Sequence, residues 1–224
     1  MTDLQSLTRL CPPPNPPMNI NWDAIEARLG TPLPHDYKQL ADQYGPGTFA
    51  DYIHLFHPHG ATEYVNLTGP VPTRIREQLR KDHQQGTHPV PYHPDQLLAC
   101  GTTSNGEYLF WITDPATHPD HWHIAVNEAR GPRWHTHHGT ITHFLLSVLT
   151  GQEHVPQFPT GLLDTPPAFT PSHPTLWKPE PITDQPPTDT AAIRTWARAN
   201  GYDVPLRGRI PPHVREAWQN AQTP

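Results

Sequence analysis

The sequence has few hydrophobic residues and no long apolar run. Hydrophobic residues make up 34% of the 224, whereas proline occurs 31 times, and so much proline cannot sit inside helices or central strands. We therefore expect one moderate domain with tails rather than a core that uses the whole chain. No apolar stretch reaches the length of a membrane span, and the N-terminus lacks an export signal, so no membrane association is expected.

Cysteine chemistry and catalytic motifs are also nearly absent. Cys11 and Cys100 stand alone, with no CxxC pair. Two isolated thiols without an export signal favour a reducing cytoplasm over a disulfide. The few serines form no nucleophile elbow, and glycine-rich phosphate loops are missing, so we expect no enzyme activity and no cofactor.

Charge is unevenly distributed along the chain, whose net charge is −6. From Thr188 onward there are five arginines and three carboxylates, a net of +2, while the remainder carries ten basic and eighteen acidic residues, a net of −8. The opposite signs indicate that the basic C-terminal part binds a polyanion, whereas the acidic remainder has a different role.

The residue pattern divides the chain into four segments. Residues 1–18, with prolines crowded at 12–17, are expected to be a disordered or polyproline lead-in. Residues 19–152 form the main domain, residues 153–187 form a Pro-rich linker, and residues 188–224 form a small terminal unit. A linker that is largely polyproline would reach on the order of 100 Å.

Within the main domain, helix patterns stand at both ends and strand patterns between them. Helices are predicted over Trp22–Leu29, His35–Tyr44, Arg74–His83 and Ile141–Leu149. Strands are predicted over Tyr52–Phe56, Leu97–Thr103, Glu107–Thr113, His121–Asn127 and Arg133–His138. Asn105-Gly106 separates two of these strands and is typical of a tight hairpin. Helices around an antiparallel meander define an α+β domain.

Histidines are concentrated in residues 118–143. On a strand, His121 and His123 point to the same face. His135 and His137 do so on the next strand, so four imidazole nitrogens could meet at a tetrahedral zinc ion. Against this, the spacing matches no zinc signature, no cysteine takes part, and histidine is abundant throughout, with 17 in the chain. The favoured interpretation is ordinary surface or hydrogen-bonded histidine, with no metal.

Several different short motifs are spread through the main domain. They are Trp22, Leu29–Tyr37 (LGTPLPHDY), Tyr44–Phe49 (YGPGTF), the Asn105–Glu107 hairpin and the closing Phe144–Gly151. They resemble the SMI/KNR superfamily, also called SUKH, over roughly Asn19–Gln152. The resemblance implies an α+β binding domain without catalytic residues. Many relatives are cytoplasmic immunity proteins against secreted bacterial toxins, often nucleases. An acidic body would suit docking on a basic nuclease, although a merely soluble surface would be acidic as well.

The terminal unit has the pattern of two short amphipathic helices. Ile193, Trp196 and Ala197 follow the capping residues Thr188–Thr190, and Gly201 is the expected stop. Pro211-Pro212 opens the second helix. The predicted apolar face of that helix consists of Val214, Ala217, Trp218 and Ala221. Two such helices can form a small core.

Arg207-Gly208-Arg209 stands between the two predicted helices. Because glycine has no Cβ, the backbone can lie against the floor of a narrow AT-rich minor groove. The flanking guanidiniums are planar and weakly hydrated, so they can extend along that groove. Taken alone, such a triplet also fits a solvated basic turn.

The stretches 191–202 (AAIRTWARANGY) and 207–211 (RGRIP) resemble the DNA-binding domain of the actinobacterial Lsr-type nucleoid silencers. The resemblance implies insertion of the triplet into AT-rich double-stranded DNA, and a location on the nucleoid. The residues it assigns to DNA binding are Arg207, Gly208 and Arg209 in the groove, with Arg194, Arg198 and Thr190 as phosphate contacts. Pro205-Leu206 departs from the family's pattern. The family's N-terminal dimerising domain is missing, which leaves the oligomeric state open.

Two functions follow from these observations. The first is a cytoplasmic protein that binds AT-rich DNA and carries a protein-recognition domain. The second is an immunity protein that neutralises a nuclease-type toxin, its basic tail being accessory. A metalloenzyme built on the histidines is a third, less favoured hypothesis.

Overall fold

The computed structural model describes residues 2–14, 16–86, 89–172, 190–202 and 212–221. They fall into two compact units, Met1–Trp177 and Lys178–Pro224. The helices are α1 (Asp3–Leu10), α2 (Trp22–Leu29), α3 (His35–Tyr44), α4 (Pro70–Gln85), α5 (Ile141–Leu149), α6 (Thr190–Ala199) and α7 (Pro212–Ala221). The strands are β1 (Gly47–Phe49), β2 (Ile53–Leu55), β3 (Leu97–Thr103), β4 (Tyr108–Ile112), β5 (His123–Asn127), β6 (Trp134–His137) and β7 (Phe169–Pro171).

The strands of the large unit form one antiparallel sheet in the order β6-β5-β4-β3-β2-β1-β7. The β3–β4 hairpin turns at Asn105-Gly106, as predicted. Gly106 has φ 95°, a left-handed conformation that glycine adopts without steric cost, and its N–H donates to the Thr103 carbonyl over 3.1 Å. The predicted α+β class with an antiparallel sheet is confirmed.

The sheet has helices on both faces, because successive side chains of a strand point to opposite sides. On β4, the fully buried Trp111 packs against Tyr37 of α3, with 4.8 Å between ring centroids. Helix α5 contacts α1, α3 and β5, which places these helices on the Trp111 face. Tyr108 belongs to the opposite face and borders a groove with Leu79 of α4.

Carboxylates distant in sequence hold the N-terminal ends of two core helices. The N–H of His35 at the start of α3 donates to Asp120 over 2.5 Å, where the preceding Pro34 offers no capping side chain. The N–H of Thr142 in the first turn of α5 donates to Asp36 over 2.9 Å. Both contacts satisfy helix N–H groups that lack a partner within the helix.

The expected disordered N-terminus is wrong for Asp3–Leu10, which forms α1. Thr2 and Gln5 make a capping box at its start. Leu7 and Cys11 are fully buried in the main core. The burial of these side chains against the rest of the domain provides the stability that so short a helix lacks by itself.

The expected linker over residues 153–187 is wrong in its first part, because the chain continues along the domain as far as Ser172. Val155 and Phe158 are buried in the core. Strand β7 pairs with β1, and Phe169 packs on Tyr44 and Phe49 with ring centroids 4.9 Å apart in both pairs. The rest of the predicted linker, residues 173–187, lies outside the described residues.

Candidate nucleic-acid interface and recognition domain

The C-terminal unit is built from α6 and α7. Its fully buried side chains, among the residues described there, are Ile193 and Ala197 on α6 and Val214 on α7. Trp196, Tyr202 and Trp218 pack around them and stay partly exposed. The side chains at 193, 196 and 197 share one face of α6 because 3.6 residues make a helical turn.

The chain leaves α6 through a fixed turn. Gly201 has φ 77°, and the N–H of Tyr202 donates back to the Ala197 carbonyl over 2.9 Å. The Tyr202 ring then stacks on Trp196, with centroids 5.7 Å apart. This closing turn, with Gly201 where the sequence predicts the stop, fixes the point at which residues 203–211 begin.

Of the residues predicted to bind DNA, Arg198 is the one whose side chain is described, and it is exposed on α6. Thr190 and Arg194 belong to the same helix, but their side chains lie outside the described part. The triplet Arg207-Gly208-Arg209 also lies outside the described residues, between α6 and α7. The predicted apolar face of α7 needs one correction, because Ala221 is exposed.

The histidines of the large unit do not converge as the zinc hypothesis requires. His121 lies in a short 3₁₀ turn before β5 and stacks on His118. In the β5–β6 register, Ile124 stands opposite His137, so His137 shares a face with Ile124, and His123, the next residue along, points to the other face. Within the ranges that the structure describes, no group of three or more His, Cys, Asp or Glu side chains is arranged to hold a metal ion.

His135 and His137 instead share a carboxylate that the sequence did not single out. One carboxylate oxygen of Glu153 is hydrogen-bonded to the Nε2 of His135 over 2.8 Å, and the other oxygen is hydrogen-bonded to the Nδ1 of His137. The Nε2 of His137 faces the Nδ1 of His143 over 2.9 Å. Glu153 belongs to the segment predicted as linker and has no sequence motif, so only its position beyond α5 brings it to the sheet.

The Glu153 carboxylate can only accept hydrogen bonds, which sets the direction of the bonds in this network. His135 and His137 each donate a proton to Glu153, and His143 donates to the free nitrogen of His137. Burial lowers the pKa of His137, although the Glu153 carboxylate opposes that shift. These histidines therefore orient one another and fasten the segment after α5, which agrees with the favoured interpretation of hydrogen-bonded histidine.

None of the helices in the described ranges is long and apolar enough to cross a membrane. No curated protein and no solved structure matches the chain.

Two family models match the chain, and they confirm both resemblances. The model described as Lsr2 DNA-binding domain covers residues 185–221, the segment that holds α6 and α7. The model described as SMI1-KNR4 cell-wall covers residues 20–145, which is more than half of the 224. The chain therefore belongs to the SMI1-KNR4 (SUKH) family and carries a DNA-binding domain of the Lsr2 type at its C-terminal side.

Proposed function

We propose that this protein is not an enzyme and that it binds AT-rich double-stranded DNA by inserting Arg207-Gly208-Arg209 into the minor groove. The observation that carries the proposal is the match of residues 185–221 to the Lsr2 DNA-binding domain. The amino group of a G·C pair obstructs the floor of the minor groove, whereas A·T pairs leave it open and deepen its negative potential. The preference for A·T therefore needs no full base code.

The helices support this proposal by fixing both ends of the segment that carries the triplet. Tyr202 is held by its hydrogen bond to α6 and by stacking on Trp196. Val214, near the start of α7, is fully buried with Ile193 in the same small core. Anchored ends lower the conformational entropy that the segment between them loses on binding. The exposed Arg198 adds a cation one turn after position 194 on α6, where both suit phosphate contacts.

Titration of the full chain with short AT-rich and GC-rich duplexes of equal length tests the proposal. The Arg207→Ala, Arg209→Ala double variant should lose at least about thirtyfold in affinity for the AT-rich duplex, since each groove arginine contributes about 1–3 kcal/mol. The matched control is Arg28→Ala with Lys81→Ala, which removes the same charge from exposed positions of the large unit and should leave the affinity unchanged. Equal affinity for the two duplexes would rule out minor-groove selection.

Affinity should be modest and depend on salt. If three or four phosphates are neutralised, the slope of log K against log salt is roughly −3 to −4. A single Arg-Gly-Arg triplet gives a dissociation constant of about 10⁻⁶ M, so useful occupancy requires several linked units or a partner that is itself on DNA. Colocalisation of the fluorescently tagged chain with the nucleoid, lost in the double variant, tests the nucleoid location.

A second candidate function is neutralisation of a nuclease-type toxin through the SUKH domain. The observation that favours it is the family match over residues 20–145 in the part of the chain that carries −8 of charge. An acidic surface speeds docking on a basic nuclease and disfavours acidic competitors. The test uses the Arg207→Ala, Arg209→Ala double variant, which lacks both groove arginines, as bait in nuclease-treated extracts. Recovery of a basic nuclease supports this function, and recovery of the same proteins by an unrelated acidic bait excludes it.

A further inference from the structure

A groove of about 810 Å³ runs along α4 on the face of the sheet opposite α3 and α5. One wall is α4, the other is the turn between β5 and β6, and side chains of β4, β5 and β6 form the floor. This volume lies within the range of small-molecule sites, which are mostly apolar clefts with a few placed polar groups. None of the six residues assigned to DNA binding lines it.

Helix α4 presents two parallel rows of side chains to the groove. Val71, Ile75 and Leu79 are spaced four residues apart and form an apolar row. Arg74 and Gln78 lie on the neighbouring row, which continues to Asp82 and forms the rim. Residues four apart follow one another along a helix face, so the apolar row can meet a flat ligand body while the polar row remains beside it.

Trp134 gives the floor a fixed aromatic surface. Its Nε1 donates to the Pro89 carbonyl over 3.0 Å. Its ring packs on Phe110 at 5.5 Å and on Tyr92 at 6.2 Å between centroids. Beside it, the side-chain Oδ1 of Asn127 accepts a hydrogen bond from the backbone N–H of Tyr108 over 2.7 Å, so the side-chain NH₂ of Asn127 can donate to a ligand.

The charges that line the groove favour an anion. Arg74 on α4 and Arg130 on the opposite wall are exposed and make no hydrogen bond or ion pair in the described part of the chain. Of the two acidic lining residues, Glu128 is paired with Arg133 at 2.5 Å. Asp82 accepts a hydrogen bond from the neutral Gln78 over 2.8 Å and keeps its charge at one end of the rim, where it is outnumbered by the two arginines. Unpaired guanidiniums are strong donors to carboxylate, sulfate and phosphate groups.

We propose that this groove binds a small amphipathic anion, with its flat apolar body on Trp134 and the apolar row of α4 and its acidic group between Arg74 and Arg130. Charge complementarity selects this class of ligand. A cationic ligand would meet two unpaired arginines, with Glu128 already paired to Arg133 and only Asp82 left to attract it. All residues that line the site belong to the large unit, and none belongs to the proposed DNA-binding unit.

Fluorescence titration of the full chain with anilinonaphthalene sulfonate tests the proposal, because this probe is a flat aromatic body with one anionic group. We expect one saturable site. The uncharged N-phenyl-naphthylamine, which has the same aromatic body without the sulfonate, should bind about tenfold more weakly, the effect of losing one charge-assisted interaction.

Four variants locate the site: two single arginine variants, their combination and one control. Arg74→Gln and Arg130→Gln should each weaken sulfonate binding about fivefold to tenfold and leave binding of the neutral probe unchanged. The matched control is Lys81→Gln, which removes the same charge from an exposed position of α4 outside the groove and should change neither. Equal affinity for the two probes or binding that does not saturate would overturn the proposal. So would an Arg74→Gln, Arg130→Gln double variant that binds the sulfonate within twofold of the wild type.

Discussion

Replacing Ile193 with alanine should weaken DNA binding without changing any of the residues proposed to contact DNA. Ile193 is fully buried and joins α6 to Val214 of α7 in a core that has few other buried side chains among the described residues. DNA binding by the Arg207-Gly208-Arg209 triplet is proposed to depend on that core, because the two helices hold both ends of the segment that carries the triplet.

The size of the effect follows from the size of the unit. An Ile→Ala change at a buried site costs about 2–5 kcal/mol. A core as small as this one rarely supplies more than about 3–5 kcal/mol. For a unit stable by about 3 kcal/mol, a cost of about 3.5 leaves roughly a third of the molecules folded, and a cost of 5 leaves roughly one in thirty. Since apparent affinity scales with the folded fraction, the dissociation constant should rise about threefold to about thirtyfold.

The measurement is fluorescence anisotropy with an AT-rich duplex, together with thermal unfolding of the same full-length samples. Ile193→Ala should remove or lower the transition of the C-terminal unit and leave that of the large unit in place. Asn220→Ala, at an exposed position of α7, serves as the control and should change neither. If Ile193→Ala eliminated the small transition while the dissociation constant stayed the same, the segment would bind DNA without its helical core and the reasoning would be refuted.

Three further predictions concern the large unit. Burial lowers the pKa of His57 from 6.5 to about 4, so its contribution to stability is complete above the unfolded value and is lost as pH falls from 6.5 to 4. Wild type should lose about 2 kcal/mol more than His57→Gln between pH 7.5 and 5 in urea unfolding, and parallel pH profiles would contradict this. Gly139→Ala should destabilise by about 1–3 kcal/mol, because a Cβ there would lie 2.6 Å from the His137 Nε2 and 2.9 Å from the His143 Nδ1; an unchanged urea midpoint would argue against it. Ala50→Gly should raise the free energy of unfolding by about 0.5 kcal/mol, and with it the urea midpoint, because Ala50 has φ 49° and glycine removes a left-handed penalty that exceeds its entropic cost. A lower midpoint would show that packing of the Ala50 methyl group outweighs this relief.

Elements defined by local periodicity could be predicted from the sequence. Trp22–Leu29, His35–Tyr44, Leu97–Thr103 and Ile141–Leu149 have the bounds in the structure that their apolar spacing predicts. Their caps and stops, such as Asn21 before α2, lie within one turn of the pattern that they limit, so a short window of sequence contains the whole signal.

Helix α1 was missed although its signal is present. Thr2 and Gln5 have the spacing of a capping box, and Leu4 and Leu7 have helical spacing, but the prolines that follow dominate the composition of the segment. Strand β7 had no comparable signal. It is three residues long, ends at Pro171, and exists because β1 offers a free edge, which is a property of the sheet rather than of residues 169–171.

The two candidate sites differ in the same way. The residues assigned to DNA binding lie within a span of 20 residues, from Thr190 to Arg209, so a family resemblance can contain all of them. The α4 groove joins Arg74 to Arg130 across more than 50 residues, and its charge depends on which neighbours neutralise which carboxylates. In the sequence, Arg130 and Arg133 are equivalent basic residues beside Glu128. The structure distinguishes them, because Arg133 takes the Glu128 carboxylate and so leaves Arg130 unpaired on the groove wall. A binding site made of arginines that lack an acidic partner has no sequence motif. It can be recognised only when the ion pairs of the structure are known.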